Sequence, residues 1–310
     1  MNILGPDYFI FAANDLGACT KCLDDYGLIQ VERGSNGAIY TAQDGTGVMV
    51  FKPSDARLPA PNAADPNIRE VRYGVADQAT LEAIGAELSR DREVKSLPEG
   101  ILRSTDEDRY PISFQVSIRR PIDPPRHGVN VPGRPAGRPI NDAAADDSER
   151  PTACSLSHVV AFTADKRRAV RFYTERLGFR VTDEFTDLGP FLRPGGTNEH
   201  HTLFLIQTPG TPPAGLQHFT FHFATVNEYV KAGWHFADKG HRSAWGPGRH
   251  VFGSNYFWYF QSPFGGLIEF DADMDRHDDS WKPRRWPSNK DTTQTFLLQY
   301  AEKWVPGGPH

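Results

Sequence analysis

Cysteine is scarce in this chain: three in 310 residues, at positions 19, 22 and 154. An odd and sparse set excludes the disulfide framework of a small secreted domain. Cys19 and Cys22 form a C-x-x-C, yet no second pair completes a zinc site and the motif lies inside a helix-like stretch. Both are read as reduced structural thiols. Clustered positive charge is missing too. The 34 Lys and Arg are outnumbered by 39 Asp and Glu, giving a formal charge of −5 with no dominant basic block. Nucleic acid is therefore not expected as a partner, because phosphate binding needs a clustered Lys/Arg footprint. No run approaches the ~18–20 apolar residues that span a bilayer. The opening MNILGPDYFIF lacks the basic and apolar regions of a signal peptide. A soluble, cytoplasmic protein without a membrane partner is the expectation.

Proline, glycine and charge crowd one internal stretch, Pro121 to Pro151, which has no apolar period and reads as a linker. It separates an N-terminal domain, residues 1–122, from a second domain, residues 152–278, with the linker itself at 123–151. The two halves share an order of elements. Tyr8-Phe-Ile-Phe opens a strand followed by a helix ending at Tyr26-Gly27-Leu28, and His158-Val-Val-Ala-Phe opens another whose helix ends at Leu177-Gly178-Phe179. A glycine in each place suits a helix that must turn sharply at its C-terminus. Further on, Val71-Arg-Tyr-Gly-Val-Ala and a helix through Leu88 match Phe219-Thr-Phe-His-Phe-Ala and a helix through Lys239. Each half reads as strand, helix and several strands, twice over. The fold class is α+β, with tandem βαβββ modules in two domains. Residues 279–310 form a C-terminal tail with a short helix, predicted from Asp291 to Trp304 with Asp291-Thr-Thr-Gln294 as its capping box.

Histidine is unevenly placed: ten of eleven lie from His158 onward, so histidine chemistry belongs to the second half. His158 and His218 each open an apolar strand, and Glu269 sits inside the strand Gly266-Leu-Ile-Glu-Phe. A carboxylate buried in such a strand is costly unless paired or metal-bound. Two imidazoles and one carboxylate make the facial triad that suits Fe(II), with open positions left for other ligands; Mn(II) accepts the same donors. The residues alone leave His222 as a rival to His218, since period-2 geometry puts both on one face of their strand.

The segment from Gly248 to Glu269 sharpens this picture. It holds His250, Tyr259, the turn Ser262-Pro263-Phe264-Gly265 and Glu269, spaced nine residues from His to Tyr and ten from Tyr to Glu. With Glu199-His200-His201-Thr202 and Leu216-Gln217-His218 upstream, it resembles the catalytic module of the type I extradiol dioxygenases in the vicinal oxygen chelate superfamily. The resemblance covers roughly residues 3–120 and 152–275. The family's Asp-Pro turn is Ser262-Pro263 here.

That resemblance implies curled mixed sheets around a funnel in each domain, with only the second funnel occupied. It implies His158, His218 and Glu269 as the metal ligands, preferring His218 over His222. His201 is implied as the acid/base residue, with His250 and Tyr259 hydrogen-bonding substrate oxygens. The reaction would be extradiol cleavage of a catechol by dioxygen in a homo-oligomer. The loop between His201 and His218 is slightly long, which leaves His200 as the alternative to His201. Were both on one strand, they would point to opposite faces and only one would enter the funnel. Phe191, Trp245, Phe252 and Phe257 are candidate pocket aromatics, while Arg242 and Arg249 are candidates to meet a carboxylate. A glyoxalase-like enzyme or a 2-oxoacid-type dioxygenase can share the triad without needing His201, His250 and Tyr259 together. A metal-free binding protein of the bleomycin-resistance kind is the third alternative. The N-terminal half lacks the triad: Tyr8 stands where His158 stands, Tyr110 to Ser117 offers no carboxylate, and Glu70, aligned near His218, is one oxygen ligand that cannot hold Fe(II) by itself.

Overall fold

Short β-branched and aromatic runs set the strands, and an Asp or Thr after the first strand of each unit starts its helix. The structure, a computed structural model, describes residues 1–298 except 66, 124–127, 145–149, 211 and 213. The first half holds β1 (Ile3–Ala12), α1 (Leu16–Tyr26), β2 (Ile29–Gly34), β3 (Gly37–Thr41) and β4 (Gly47–Phe51). A second unit follows: β5 (Ile68–Val75), α2 (Gln78–Leu88), β6 (Lys95–Leu97), β7 (Ile101–Thr105) and β8 (Pro111–Val116). The second half repeats the order with β9 (Ser155–Phe162), α3 (Lys166–Arg171), β10 (Arg180–Phe185), β11 (Gly189–Arg193) and β12 (Leu203–Ile206). Then come β13 (Gly215–His222), α4 (Val226–Asp238), β14 (Ser243–His250), β15 (Tyr256–Gln261) and β16 (Leu267–Ala272).

Side chains of Asp15, Asp77, Asp165 and Thr225 accept the free backbone N–H groups at the starts of α1 to α4. At the far end, Gly27 closes α1 at φ 104°, and Gly178 follows the second half's first helix at φ 74°. Both sit in the left-handed region that glycine enters freely.

Each unit forms four neighbouring strands, and pairs of units join through their first strands. The first sheet runs β2-β3-β4-β1-β5-β8-β7-β6, with β1 and β5 antiparallel. The second runs β10-β11-β12-β9-β13-β16-β15-β14, with β9 and β13 antiparallel. The tail adds β17 (Arg284–Trp286) beside β10, α5 (Lys290–Thr293), and β18 (Gln294–Leu297) beside β14. It therefore occupies both edges of the second sheet. The long helix predicted to run to Trp304 is corrected here: α5 has four residues, its capping box joins Asn289 to Thr292, and a strand replaces the rest as far as Leu297. Residues beyond 298 lie outside those described. Among the described residues no helix is long and apolar enough to cross a membrane.

The two sheets share one apolar core. Phe219 of β13 meets Phe9 and Phe11 of β1, with ring centres 5.7 and 5.3 Å away. Tyr26 stacks on Phe270 at 4.0 Å and donates its hydroxyl hydrogen to the backbone carbonyl of Glu269 at 2.5 Å. The N-terminal half thus braces the strand that carries Glu269. Cys19 and Cys22 are buried and free on α1, and burial pushes the Cys19 thiol up to about 12, in keeping with inert structural thiols.

Candidate metal centre

His158, His218 and Glu269 come from β9, β13 and β16, which are adjacent in the sheet. Their ligand atoms converge. His158 Nε2 lies 3.2 Å from His218 Nε2 and 3.1 Å from Glu269 Oε2, and His218 Nε2 lies 3.2 Å from the same oxygen. Cis donors about 2.1 Å from one octahedral metal stand ~3.0 Å apart, so the triangle has the size of one octahedral face.

Hydrogen positions argue for a cation within it. The Ser157 hydroxyl donates to Asp271 Oδ2 at 3.0 Å, which leaves it to accept from His158 Nδ1 at 2.8 Å. His218 Nδ1 donates to the side-chain oxygen of Gln217. Each ring therefore holds its hydrogen on Nδ1 and turns a bare Nε2 toward the other ring and toward a carboxylate. Three lone-pair donors that close repel one another unless a cation lies between them. The fully buried Glu269 also has an oxygen, Oε1, with no hydrogen-bond partner. Burial alone would raise the Glu269 carboxyl, but its contacts with His158 and His218 hold it well below the usual carboxylate range. Burial lowers His218 to about 4, against the pull of Glu269. A neutral imidazole pair with an ionised carboxylate is the donor set that a divalent metal takes.

His222 shares the face of His218, as period 2 requires, but lies ~13 Å further along the strand at ~3.3 Å per residue. Its Nδ1 meets Asp271 Oδ1 at 2.6 Å and its Nε2 lies 3.4 Å from Glu199. Burial opposes its charge, but Asp271 and Glu199 raise it well above its ordinary value. It is a half-buried ion-pair partner outside the convergent trio.

A cavity of about 360 Å³ opens in front of His158 and His218. His201, His250 and Tyr259 all line it, as do Phe191, Trp245 and Phe252. Phe257 lies behind, stacked on His250 at 4.0 Å, and neither Arg242 nor Arg249 reaches the lining; Arg249 pairs with Asp273 at 2.9 Å. His250 Nδ1 donates to the carbonyl of Thr293 in the tail at 2.9 Å, which leaves Nε2 to accept from the Tyr259 hydroxyl at 3.0 Å. Burial, reinforced by Glu269, pushes the Tyr259 hydroxyl well above its ordinary value, so it stays protonated.

The strand geometry expected for His200 and His201 needs correction. Both precede β12, which begins at Leu203, and strand alternation does not govern them. His201 lines the cavity and His200 does not, yet the two rings touch through their Nδ1 atoms at 2.9 Å. Sequence reasoning missed four other residues: Ser157, Gln217 and Thr220 around the ligands, and Asn255, a buried carboxamide on the cavity wall with no partner at either end. Ser157 and Gln217 each directly precede a ligand histidine, a local signal that was available.

The N-terminal half shows the same positions filled differently. Ile10 faces Glu70 as Val160 faces His218, and Arg72 faces Ser113 as Thr220 faces Glu269. Arg103 faces Ser113 as Tyr259 faces Glu269. Glu70 there accepts from Arg72 at 2.9 Å, from Arg103 at 2.6 Å and from Ser113. Two guanidinium groups occupy the place of a cation.

The chain is also similar to known proteins. Residues 155–270 match the family model described as Glyoxalase/Bleomycin resistance protein/Dioxygenase superfamily. Metapyrocatechase 2 of Cupriavidus necator is 35% identical over 156 residues, which is 50% of this chain and 45% of that protein. The manganese-dependent 2,3-dihydroxybiphenyl 1,2-dioxygenase of Geobacillus genomosp. 3 is 26% identical over 172 residues, 50% of each chain. The chain thus spans about half the length of the curated relatives it matches. Among solved structures, a Mn(II)-bound glyoxalase from Novosphingobium aromaticivorans superposes with a TM-score of 0.73 at 21% identity, covering 95% of this chain and 91% of that one. The convergent ligands His158, His218 and Glu269 all lie within the stretch, residues 155–270, that matches this family model.

Proposed function

We propose that this protein is an extradiol dioxygenase that opens a catecholic ring with dioxygen, using one Fe(II), or Mn(II), held by His158, His218 and Glu269. One observation carries the reading: the trio of ligand atoms lies beside a cavity whose wall also holds His201, His250 and Tyr259. A divalent metal held by these ligands would supply Lewis acidity toward the catechol oxygens and toward dioxygen.

The chain's own groups do the rest. His201 lies beside His158 with ring centres 4.3 Å apart, close enough to exchange a proton with a substrate hydroxyl on the metal side of the cavity. Tyr259 keeps its proton and serves as a donor, and His250 is aimed at it by the Thr293 carbonyl. Phe185, Phe191, Phe204 and Phe252 form an apolar wall that excludes water. No Lys, Arg, Asp or Glu stands among the described residues that line the cavity.

The preferred substrate is accordingly a catechol with an uncharged, apolar ring substituent. A carboxylated catechol would lose hydration there without gaining a cation. The test is kcat/KM over a catechol panel, with protein loaded anaerobically with Fe(II) or with Mn(II). Aryl- and alkyl-substituted catechols should exceed carboxylated ones by at least ~10²-fold, about 2.7 kcal/mol in transition-state binding. Absence of ring-opened product with every catechol and both metals would remove the dioxygenase reading.

A further inference from the structure

His200 is buried and touches neither the ligands nor the cavity, yet its two ring nitrogens link Asp183 to its neighbour His201. Its Nε2 lies 3.0 Å from Asp183 Oδ2, and its Nδ1 lies 2.9 Å from His201 Nδ1. Asp183, on β10, is fully buried and also accepts from the backbone N–H and the guanidinium of Arg284 in β17. The hydrogens along this row can be assigned in turn. An ionised carboxylate only accepts, so His200 Nε2 carries a hydrogen. Burial, opposed by Asp183, holds His200 below its ordinary value, so the ring is neutral and its Nδ1 is a lone pair. The contact between the two Nδ1 atoms then takes its hydrogen from His201. A neutral imidazole with hydrogen on Nδ1 has none on Nε2. That bare nitrogen is the one left for the cavity His201 lines.

We propose that Asp183 and His200 are positioning residues that fix the tautomer and the orientation of His201, so that its unprotonated Nε2 meets the substrate as an acceptor. Only the use of that nitrogen rests on the dioxygenase reading. The tautomer itself belongs to the resting protein, whatever its substrate. A hydrogen-bonded carboxylate that sets an imidazole tautomer through its other nitrogen is a general device. Here a second imidazole is interposed, which carries the influence of Asp183 one ring further.

Asp183→Asn gives the sharpest test. Arg284 keeps the amide oxygen, so the amide N–H turns toward His200 Nε2 and the row reverses. His200 Nδ1–H then donates to His201, which must carry its own hydrogen on Nε2. Imidazole ¹⁵N shifts of the metal-free full chain, labelled at histidine and assigned against His201→Asn, read the tautomers without any turnover. The unaltered protein should show His201 with Nδ1–H and a bare Nε2, and Asp183→Asn should show the inverse. In metal-loaded protein, Asp183→Asn should lower kcat roughly 10²-fold, within the cost of a misplaced acid/base proton, with KM within about twofold. Arg284→Gln serves as the control for tail anchoring: it weakens the ion pair but leaves Asp183 to accept from His200, so tautomer and kcat should hold.

An Nε2–H on His201 in the unaltered protein overturns the proposal, and that measurement suffices even if Asp183→Asn does not fold. An unchanged tautomer in a folded Asp183→Asn overturns it as well. Equal kcat losses in Asp183→Asn and Arg284→Gln would assign the effect to the tail instead. If the tautomers come out as expected but no catechol is opened by either metal-loaded protein, the positioning role stands and the dioxygenase reading fails.

Discussion

At the scale of single residues, the proposed site separates groups that would hold a cation from groups that would move a proton. His158→Ala removes a ligand from a buried trio and leaves Glu269 with one imidazole partner in place of two. Metal content after dialysis, measured by elemental analysis, should fall by at least tenfold, consistent with loss of one of three donors. Tyr259→Phe removes one hydroxyl and no ligand, so metal content should be unchanged and kcat should fall by ~10²-fold, the usual worth of one positioned donor. His201→Asn should behave in the same sense, with metal retained and kcat lowered by roughly 10²–10⁴-fold. Loss of metal in either of these two variants would move the residue from the proton-handling group to the ligands. The spacing of His250, Tyr259 and Glu269 made these roles legible, because three consecutive strands, β14, β15 and β16, carry them in antiparallel register. His200 was less legible. Its partner Asp183 is seventeen positions upstream, with no motif joining them.

At the scale of elements, the tail is the part that sequence patterning described least well. Asp291-Thr-Thr-Gln resembles a helix start, and the residues after it have some helical character. The open edge of β14 offers unpaired N–H and C=O groups, and satisfying them across a ladder outweighs a weak local helix preference. Gly248 pairs with Leu297 and Arg249 with Phe296 as a result. At the opposite edge β17 pairs with β10, so residues 287–293 cross from one edge of the curled sheet to the other. This strap places the Thr293 carbonyl on His250 and Trp286 on Phe252, with ring centres 5.0 Å apart. A chain ending at residue 282 should therefore keep its metal but lose at least tenfold in kcat, as His250 loses the acceptor that orients it. Metal content and kcat measured on the same preparation check this, and full activity in the truncated chain would restrict the tail to edge protection. The turn into β16 was read more easily. Gly266 has φ 67°, and a Cβ there would come within 2.6 Å of the Gln217 carbonyl, so glycine is required beside Ser262-Pro263.

At the scale of the whole molecule, one architecture is used twice with opposite contents. The trio His158, His218 and Glu269 has its counterpart in Tyr8, Glu70 and Ser113, where Arg72 and Arg103 neutralise the single carboxylate. Elemental analysis should accordingly find about one metal per chain, the stoichiometry of a single facial triad, and two would show ligands in the N-terminal half as well. Glu70→Gln should leave that stoichiometry unchanged, because it touches no ligand. It should lower stability by about 3 kcal/mol, since it leaves two partly buried guanidinium groups without their counter-charge. Urea unfolding gives the value, and a loss below about 0.5 kcal/mol would show the Glu70 cluster to be well solvated. Because Phe219 and Tyr26 join the two sheets in one core, that loss should appear as a single transition in which both halves unfold together.

What the sequence determined by itself is local. Apolar runs placed β9, β13 and β16, the glycines at 27 and 178 ended their helices, and the run from His250 to Glu269 set three candidate site residues at fixed spacing. These features depend on backbone geometry over a few residues, where chain connectivity does the positioning. Tertiary structure decided the rest. His158 and His218 are separated by 60 positions and meet only because β9 and β13 pair in one register. Asp183 and Arg284, 101 positions apart, meet only because the tail adds a strand beside β10. Such contacts follow from which sheet edges and buried polar groups find partners across the whole chain, and no local pattern records that choice.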